Sequence, residues 1–251
     1  MALALYMVVW GFKNLKMLKK LPTYGMVLRA LLWLGILLAA GWLGAAPAHA
    51  ASDGGLSYNI GPSFSVGAGV GYSMRDVHLS SNWADTDVLS SSRFLVKPDI
   101  APVRYVDIYG LIGAAELELQ NRKFDGTLGL DWGVGLRPQL FPLVWNNPLN
   151  ITLDGQFVQT RSADHNTHAT LDEVQASLIF SYVMKSLAPY GGLKYDHTWM
   201  EFKSKRNEMQ DKLDWGLFIG CDYFVTQNVF FNLELTIFAE TAAFLSTGYK
   251  Y

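Results

Sequence analysis

The sequence predicts an all-β fold: an antiparallel up-and-down transmembrane β-barrel of about ten strands, with about eight as the alternative. Apolar and polar residues alternate over long stretches, which predicts strands with one apolar and one polar face. These stretches run for about 10–13 residues, whereas strands of soluble proteins average about 5–6 and membrane-crossing strands need about 9–11. Of the 251 residues 17% are charged, against about 25% in a soluble domain. Strand length and composition therefore favour strands that cross a membrane.

Residues 1–50 are predicted to be a secretory signal peptide, and residues 51–251 form the barrel. The first segment contains no Asp or Glu, has basic residues before the unbroken apolar run Leu31–Ala46, and ends in Ala-His-Ala, a small-x-small cleavage pattern. The run is shorter than the ~20 residues of a membrane-spanning helix. Because Met26 already begins a signal peptide of ordinary length, residues 1–25 either extend its basic region or precede the true start of translation.

Ten strands are predicted in order along the rest of the chain. They are 63–76, 91–98, 104–119, 126–137, 149–160, 172–184, 189–202, 213–225, 229–239 and 243–251. With both termini in the periplasm, alternate connections lie at opposite ends of the barrel. The short connections are predicted at 98–102, 186–189 and 226–228, and the longer polar ones at 79–90, 161–170 and 203–212.

Two segments depart from this pattern. Residues 139–148 form a long apolar connection at the end where connections should be short. In the third strand the apolar residues change parity between Ile112 and Leu117, which predicts a β-bulge near Gly113-Ala114-Ala115. The second strand, 91–98, has the weakest alternation and is the reason for the eight-stranded alternative.

Two features place the apolar face outward, on lipid. The polar faces of two strands are largely Gly and Ser, which suit a narrow barrel interior. Amphipathic rings near strand ends suit the membrane interfaces, and those predicted there are Trp132, Trp199, Trp215, Tyr182, Tyr223, Tyr249 and Tyr251.

Charged residues of the opposite parity are predicted to line the lumen. They are Arg75, Asp131, Arg137, Asp154, Glu173, Lys194, Asp196, Asp214, Asp222, Glu234, Glu240 and Lys250. Charges in so narrow a space need partners, so we expect a paired network that closes the barrel. A selectivity lining for a small pore is the alternative.

The last strand carries the most specific pattern. Ala243, Leu245, Thr247, Tyr249 and Tyr251 alternate up to an aromatic C-terminus. With Tyr105–Gly113, this strand resembles those of the small OmpA-type and opacity-type bacterial outer-membrane barrels. The resemblance implies a location in the outer membrane of a Gram-negative-type cell, contact with outer-membrane lipid, and recognition of the last strand by the barrel assembly machinery. Because the sequence ends at the barrel, we expect the peptidoglycan-binding domain of full-length OmpA-type proteins to be absent.

The expected function is that of a non-catalytic, porin-like cell-envelope barrel, whose outer loops contact a surface partner or whose wall stabilises the envelope. A narrow diffusion channel is the alternative, and an outer-membrane enzyme is a weaker one. One Cys excludes a disulfide framework, and Cys221, on the lipid-facing parity, is expected to be an unreactive thiol. A net charge of −2 lacks the basic footprint of nucleic-acid binding. No cofactor is expected.

Two sets of acidic and histidine residues can be compared with the active sites of enzymatic outer-membrane barrels. Omptin-type proteases place an Asp pair opposite an Asp–His pair whose members are spaced by one residue. Asp85 and Asp87 are suitably spaced, but Asp196 and His197 are adjacent, so alternation sends them to opposite faces. Asp85 and Asp87 are therefore expected to be solvated loop acids.

The remaining histidines give no stronger site. His78-Leu79-Ser80 resembles the His-x-Ser of outer-membrane lipid A deacylases, but it lies early in the chain and lacks a matched acid. Asp164, His165 and His168 form a loop cluster that is expected to be polar surface rather than a metal site.

Overall fold

The computed structural model describes residues 63–79, 82–103, 105–121, 124–142, 149–164, 167–203, 205–211 and 213–251. It contains twelve strands: β1 Ser63–Leu79, β2 Asn82–Val103, β3 Val106–Leu119, β4 Phe124–Asp125, β5 Gly129–Pro142, β6 Leu149–Asp164, β7 Thr167–Tyr182, β8 Leu187–Phe202, β9 Lys205–Asp211, β10 Trp215–Phe224, β11 Val229–Ile237 and β12 Thr241–Lys250. The predicted signal peptide lies outside the described residues.

Within the described part of the chain, no helix is long and apolar enough to span a membrane.

The strands form one antiparallel sheet that closes into a ring. Most strands pair with their neighbours along the chain, but the two-residue β4 pairs only with β3, and β9 pairs with β8 and β1 rather than with β10. β1 pairs with β12 over the register Ser65–Lys250 to Met74–Thr241. The ten strands β1–β3, β5–β8 and β10–β12 are each paired on both sides, which satisfies the backbone hydrogen bonds of a wall in lipid. The predicted antiparallel β-barrel is confirmed.

The number of strands in the ring differs between its two ends, because β8 pairs with two successive strands. Its residues Leu187–Tyr195 pair with β10, which continues the ring through β11 and β12 back to β1. Beyond that level, Trp199–Phe202 pair with β9, and β9 pairs directly with Val77–Leu79 of β1. We call the ten-stranded portion the lower barrel and the eight-stranded portion above the β11–β12 turn the upper barrel.

Several predicted connections are wrong because the hairpins are taller than expected. β2 begins at Asn82 and runs to Val103, so 79–90 is not an outer loop and Pro98–Pro102 lies within the strand. Residues 203–212, predicted as an outer connection, contain β9. The ring has ten strands below as predicted, whereas β4 and β9 were not predicted.

The predicted bulge in β3 is also wrong. Gly113, Ala114 and Ala115 pair in continuous register with β2 on one side and β5 on the other. Inward and outward residues alternate without interruption along the strand. What changes is the character of the two faces: the outward face is apolar in the lower barrel, and the inward face is apolar in the upper barrel. Ile108 and Ile112 face outward in the lower barrel, whereas Leu117 and Leu119 are buried inside the upper barrel.

The outer face of the lower barrel is a continuous apolar belt. Its members are 36–66% exposed although apolar, and include Ile100, Ile108, Ile112, Leu130, Trp132, Val134, Leu136, Leu153, Val174, Phe180, Leu193, Leu217, Ile219, Leu233, Leu235 and Ile237. Toward the upper barrel the same outward parity carries polar residues such as Asp76, Glu118, Arg161 and Glu201. An apolar band bounded by polar residues is what a barrel wall in a bilayer requires.

The upper barrel is built with the opposite polarity. Its interior is filled by an apolar cluster, the upper core, in which every residue is at most 4% exposed: Val77, Leu89, Leu117, Leu119, Phe124, Ala169, Leu171, Met200 and Met209. An apolar interior with a polar exterior is the arrangement of a water-soluble β-barrel. The chain therefore switches from membrane to aqueous architecture within continuous strands.

Candidate functional site

The interior of the lower barrel is crowded with ion pairs, and the largest group, the central cluster, lies just beneath the upper core. Arg75 on β1 is at its centre. One guanidinium nitrogen, Nη2, donates to Glu173 at 2.8 Å and to Glu240 at 2.7 Å. The other, Nη1, donates to Asp211 at 3.2 Å and lies 3.3 Å from Asp196.

Glu240 belongs to the turn between β11 and β12, at the level where the ring narrows. Its second oxygen accepts from Lys194 Nζ at 2.6 Å. Because Arg75 and Lys194 lie on β1 and β8, this carboxylate links the short hairpin to both walls beside it. The backbone at the turn is tight, with Phe238 at a φ of 82°.

Arg93 on β2 completes the central cluster. Its Nη2 donates to Glu173 at 2.7 Å, and its Nε lies 3.8 Å from Asp131. Thr160 donates its hydroxyl proton to Asp131 at 2.9 Å. Beneath these groups is a cavity of about 40 Å³, which has room for only a few water molecules.

A second network occupies the interior nearer the periplasmic end. Arg137 is fully buried and donates from Nε to Asp154 at 2.8 Å. The Tyr109 hydroxyl donates to the other oxygen of Asp154 at 2.6 Å. Lys97 Nζ lies 3.6 Å from the centre of the Tyr109 ring, and the Arg137 guanidinium lies 5.3 Å from it, so one ring contacts two cations.

A third network links β8, β10 and β11. The Tyr190 hydroxyl donates to Glu234 at 2.8 Å and accepts from Asn232 at 2.8 Å. The same amide group of Asn232 donates to Asp222. Buried carboxylates in this region are therefore satisfied by neutral donors as well as by cations.

Inward glycines provide the space for these large interior side chains. A Cβ on Gly69 or Gly71 would overlap the ring of Phe244. In the same way Gly135 faces the Tyr109 ring and Gly220 faces the Tyr190 ring. Rings from neighbouring strands therefore occupy the space beside these inward glycines.

The structure places most of the predicted lumen charges in the interior. Those at most 6% exposed are Arg75, Asp131, Arg137, Asp154, Glu173, Lys194, Asp196, Asp222, Glu234 and Glu240. Lys250 is half-buried. Asp214 departs from the prediction: it is about one-third exposed, and its carboxylate lies 3.2 Å from His197 Nδ1 on the outer face. The reason is one extra residue between Asp211 and Trp215 relative to β8, which shifts the parity.

Sequence reasoning missed several interior groups. Arg93, Lys97 and Asp99 belong to the alternation of β2, which is continuous once that strand is extended to Asn82–Val103. Tyr109 has the parity of Asp107 and was overlooked because an inward tyrosine was not expected. The upper core was missed because every apolar face was assigned to lipid.

The enzyme-like residues do not come together. Asp196 is buried inside while His197 is about one-third exposed on the other face. Asp87, expected to be a solvated loop acid, is instead 2% exposed on β2, and its Oδ1 accepts from the backbone N–H of Val88 and of Asn121 at 2.8 Å each. Asp85 is exposed.

The other candidate residues show no assembled site either. His78 is buried on β1. His165 lies outside the described residues, and His168 is exposed on β7. Across the described ranges, no group of three or more His, Cys, Asp or Glu side chains is arranged to hold a metal ion.

The predicted interface aromatics lie on the outer wall. Trp132, Trp215, Tyr182, Tyr223 and Tyr251 are exposed, while Trp199 and Tyr249 are half-buried. Tyr251 closes the seam, since its backbone N–H donates to the Phe64 carbonyl at 3.0 Å and the two rings lie 5.7 Å apart.

Comparisons with known proteins give loose likenesses in fold only. The outer membrane protease OmpT from Escherichia coli is 13% identical with a TM-score of 0.38, covering 80% of this chain and 99% of its own. An outer membrane channel from Pseudomonas putida F1 is 11% identical with a TM-score of 0.44. The alignment covers 78% of this chain and 97% of the channel. The translocator domain of the autotransporter NalP from Neisseria meningitidis is 10% identical with a TM-score of 0.40. The alignment covers 74% of this chain and 88% of the translocator domain.

No family model and no curated protein matches the sequence. The closed antiparallel ring and its apolar outer belt therefore carry the conclusion. A spanning wall of this kind is an outer-membrane β-barrel, which confirms the predicted fold and location.

Proposed function

We propose that this protein is a closed outer-membrane barrel without catalytic activity, which acts through its wall and its water-exposed upper part. The upper core carries the proposal, because nine buried apolar residues fill the interior where a channel would have to pass. Apolar side chains packed in this way exclude water. The aromatic closing strand supports a kinship with the small OmpA-type and opacity-type barrels.

A narrow channel is the alternative, and the charge-lined cavity beneath the central cluster is the observation in its favour. The cavity measures about 40 Å³ and is lined by residues that include Arg75, Arg93, Lys194 and Glu173. Those cations already contact carboxylates at 2.6–2.8 Å. Ions crossing this level would have to break the buried pairs, which is costly.

Planar-bilayer conductance tests the proposal. The purified barrel is expected to produce no stepwise current, whereas a general porin added afterwards to the same membrane produces steps. Reproducible steps of one size from the barrel alone would make the channel the better assignment. For the enzyme class, lipid A and phospholipids from cells with and without the protein are compared by mass spectrometry, and identical profiles are expected.

A further inference from the structure

At the upper edge of the apolar belt, the outer wall carries an arginine that forms no ion pair with the residues that the structure describes. Arg161 on β6 is exposed and faces outward. Among the described residues its guanidinium is hydrogen-bonded to Gln159 alone, from Nη2 to Oε1 at 3.0 Å. An arginine at this level can extend its head group toward the membrane surface while its stem stays on apolar neighbours.

Gln159 is itself held from both sides, which fixes the position of the guanidinium. Its Oε1 also accepts from Trp132 Nε1 at 3.3 Å, and its Nε2 donates to Asp172 at 2.8 Å. Asp172 is thereby engaged by the amide and makes no ion pair with Arg161. The remaining donors of Arg161 have no partner among the described residues and can therefore bind a ligand.

Below the hydrogen-bonded side chains of Arg161, Gln159 and Asp172, the outer wall is aromatic. The rings of Trp132 and Phe157 meet edge to face with centroids 5.9 Å apart. Along β6 the outward order is therefore Phe157, Gln159, Arg161: an apolar ring, a hydrogen-bonding amide and a cation. A lipid molecule presents the same order, from acyl chain through polar linkage to phosphate.

We propose that Arg161, positioned by Gln159 above the Trp132–Phe157 pair, binds the phosphate of a lipid head group in the outer leaflet. The guanidinium supplies planar, bidentate donors to phosphate oxygens, while the aromatic pair contacts the upper acyl chain. This inference rests on the place of the barrel in a membrane and not on whether its lumen is closed.

The test is the lipid selectivity of the barrel in phosphatidylcholine vesicles that contain spin-labelled phosphatidic acid or spin-labelled phosphatidylcholine. The native barrel is expected to prefer the phosphatidic acid. Arg161→Gln should lower this preference about 5-fold, since one cation near a membrane surface contributes about that factor. Gln159→Leu should lower it by a smaller factor with the charge retained, which identifies Gln159 as a positioning residue.

Lys203→Gln is the matched control, because it removes an exposed cation from the β8–β9 turn and should leave the preference unchanged. Equal losses in Lys203→Gln and Arg161→Gln would mean general surface charge and would overturn the site. An unchanged preference in Arg161→Gln would overturn it too. Full competition by millimolar inorganic phosphate would identify a free-phosphate site and reject the lipid assignment.

Discussion

Arg137 illustrates how a single buried charge depends on its partner. It is fully buried, its partner Asp154 is 6% exposed, and Tyr109 shares that carboxylate. Arg137→Ala leaves the carboxylate without its cation in the interior, so the free energy of unfolding should fall by about 3–5 kcal/mol. Urea unfolding in detergent micelles, followed by the loss of heat-modifiable migration on gels, measures this change.

The paired variant separates the ion pair from simple loss of side-chain volume. Arg137→Met combined with Asp154→Leu replaces both charges with apolar groups of similar size, and such replacements are often neutral. It should be clearly more stable than Arg137→Ala. If both variants lose the same stability, the Arg137–Asp154 pair is not the reason for the loss.

Strand β1 depends on the absence of side chains at its inward glycines. Gly71→Val would drive two methyl groups into the Phe244 ring that now covers the glycine, and overpacking of this kind costs about 1–3 kcal/mol. Gly155 on β6 is the control from the outer face, where it is exposed and no atom lies within 4 Å of a Cβ placed there. Gly155→Val should be neutral or slightly stabilising, because valine favours strands.

Thermal or urea unfolding of both glycine variants in the same detergent provides the comparison. Equal destabilisation would mean that the inward glycines act through backbone freedom rather than by making room for rings. A stable Gly71→Val variant would mean that Phe244 can move aside into the cavity.

The strands show which features of the fold could be predicted from the sequence and which could not. A period of two is a local property, so most strands follow from it directly, as does the predicted connection at 226–228 between β10 and β11. Which face is inside is set by the surroundings: Leu117 and Leu119 have the alternation of a lipid face but lie in the upper core. Their outward neighbours Glu116 and Glu118 were the available signal, because two acids are out of place on a wall in lipid.

Partners in the interior could not be assigned from the sequence for a different reason. Arg75 meets Glu173 and Glu240 across separations of 98 and 165 residues. Alternation gives the parity of each residue but not the stagger between strands, which depends on how the whole barrel closes. The interior charges were therefore predictable as a set and not as pairs.

At the scale of the whole molecule, the outer face of the barrel changes from apolar in the lower barrel to polar in the upper barrel. One strand should therefore tolerate an added charge at an upper outward site but not at a lower one. Leu178 on β7 faces outward and pairs with Leu193 of the apolar belt, and Thr170 faces outward on the upper part of that strand. Leu178→Arg should cost about 2–4 kcal/mol in a bilayer. Thr170→Arg should cost little, because Thr170 pairs with Arg161 above the apolar belt, at a level where the outer face already carries an exposed charge.

Folding into lipid vesicles over a urea titration measures both variants. If Thr170→Arg were as costly as Leu178→Arg, the upper barrel would be embedded and the apolar belt would be taller than its residues indicate. Equal tolerance of both would argue against a membrane-facing wall.

The upper ends of β1, β7 and β8 are each paired with a neighbouring strand on both sides, and this pairing has a consequence for recognition from outside the cell. Extracellular proteases need an extended segment of several residues in the active site, and strands paired on both sides do not offer one. Proteinase K added to intact cells should therefore spare the peptide bonds within these paired segments. For the same reason antibodies against the native surface should bind epitopes assembled from neighbouring strands, and should fail on the denatured polypeptide.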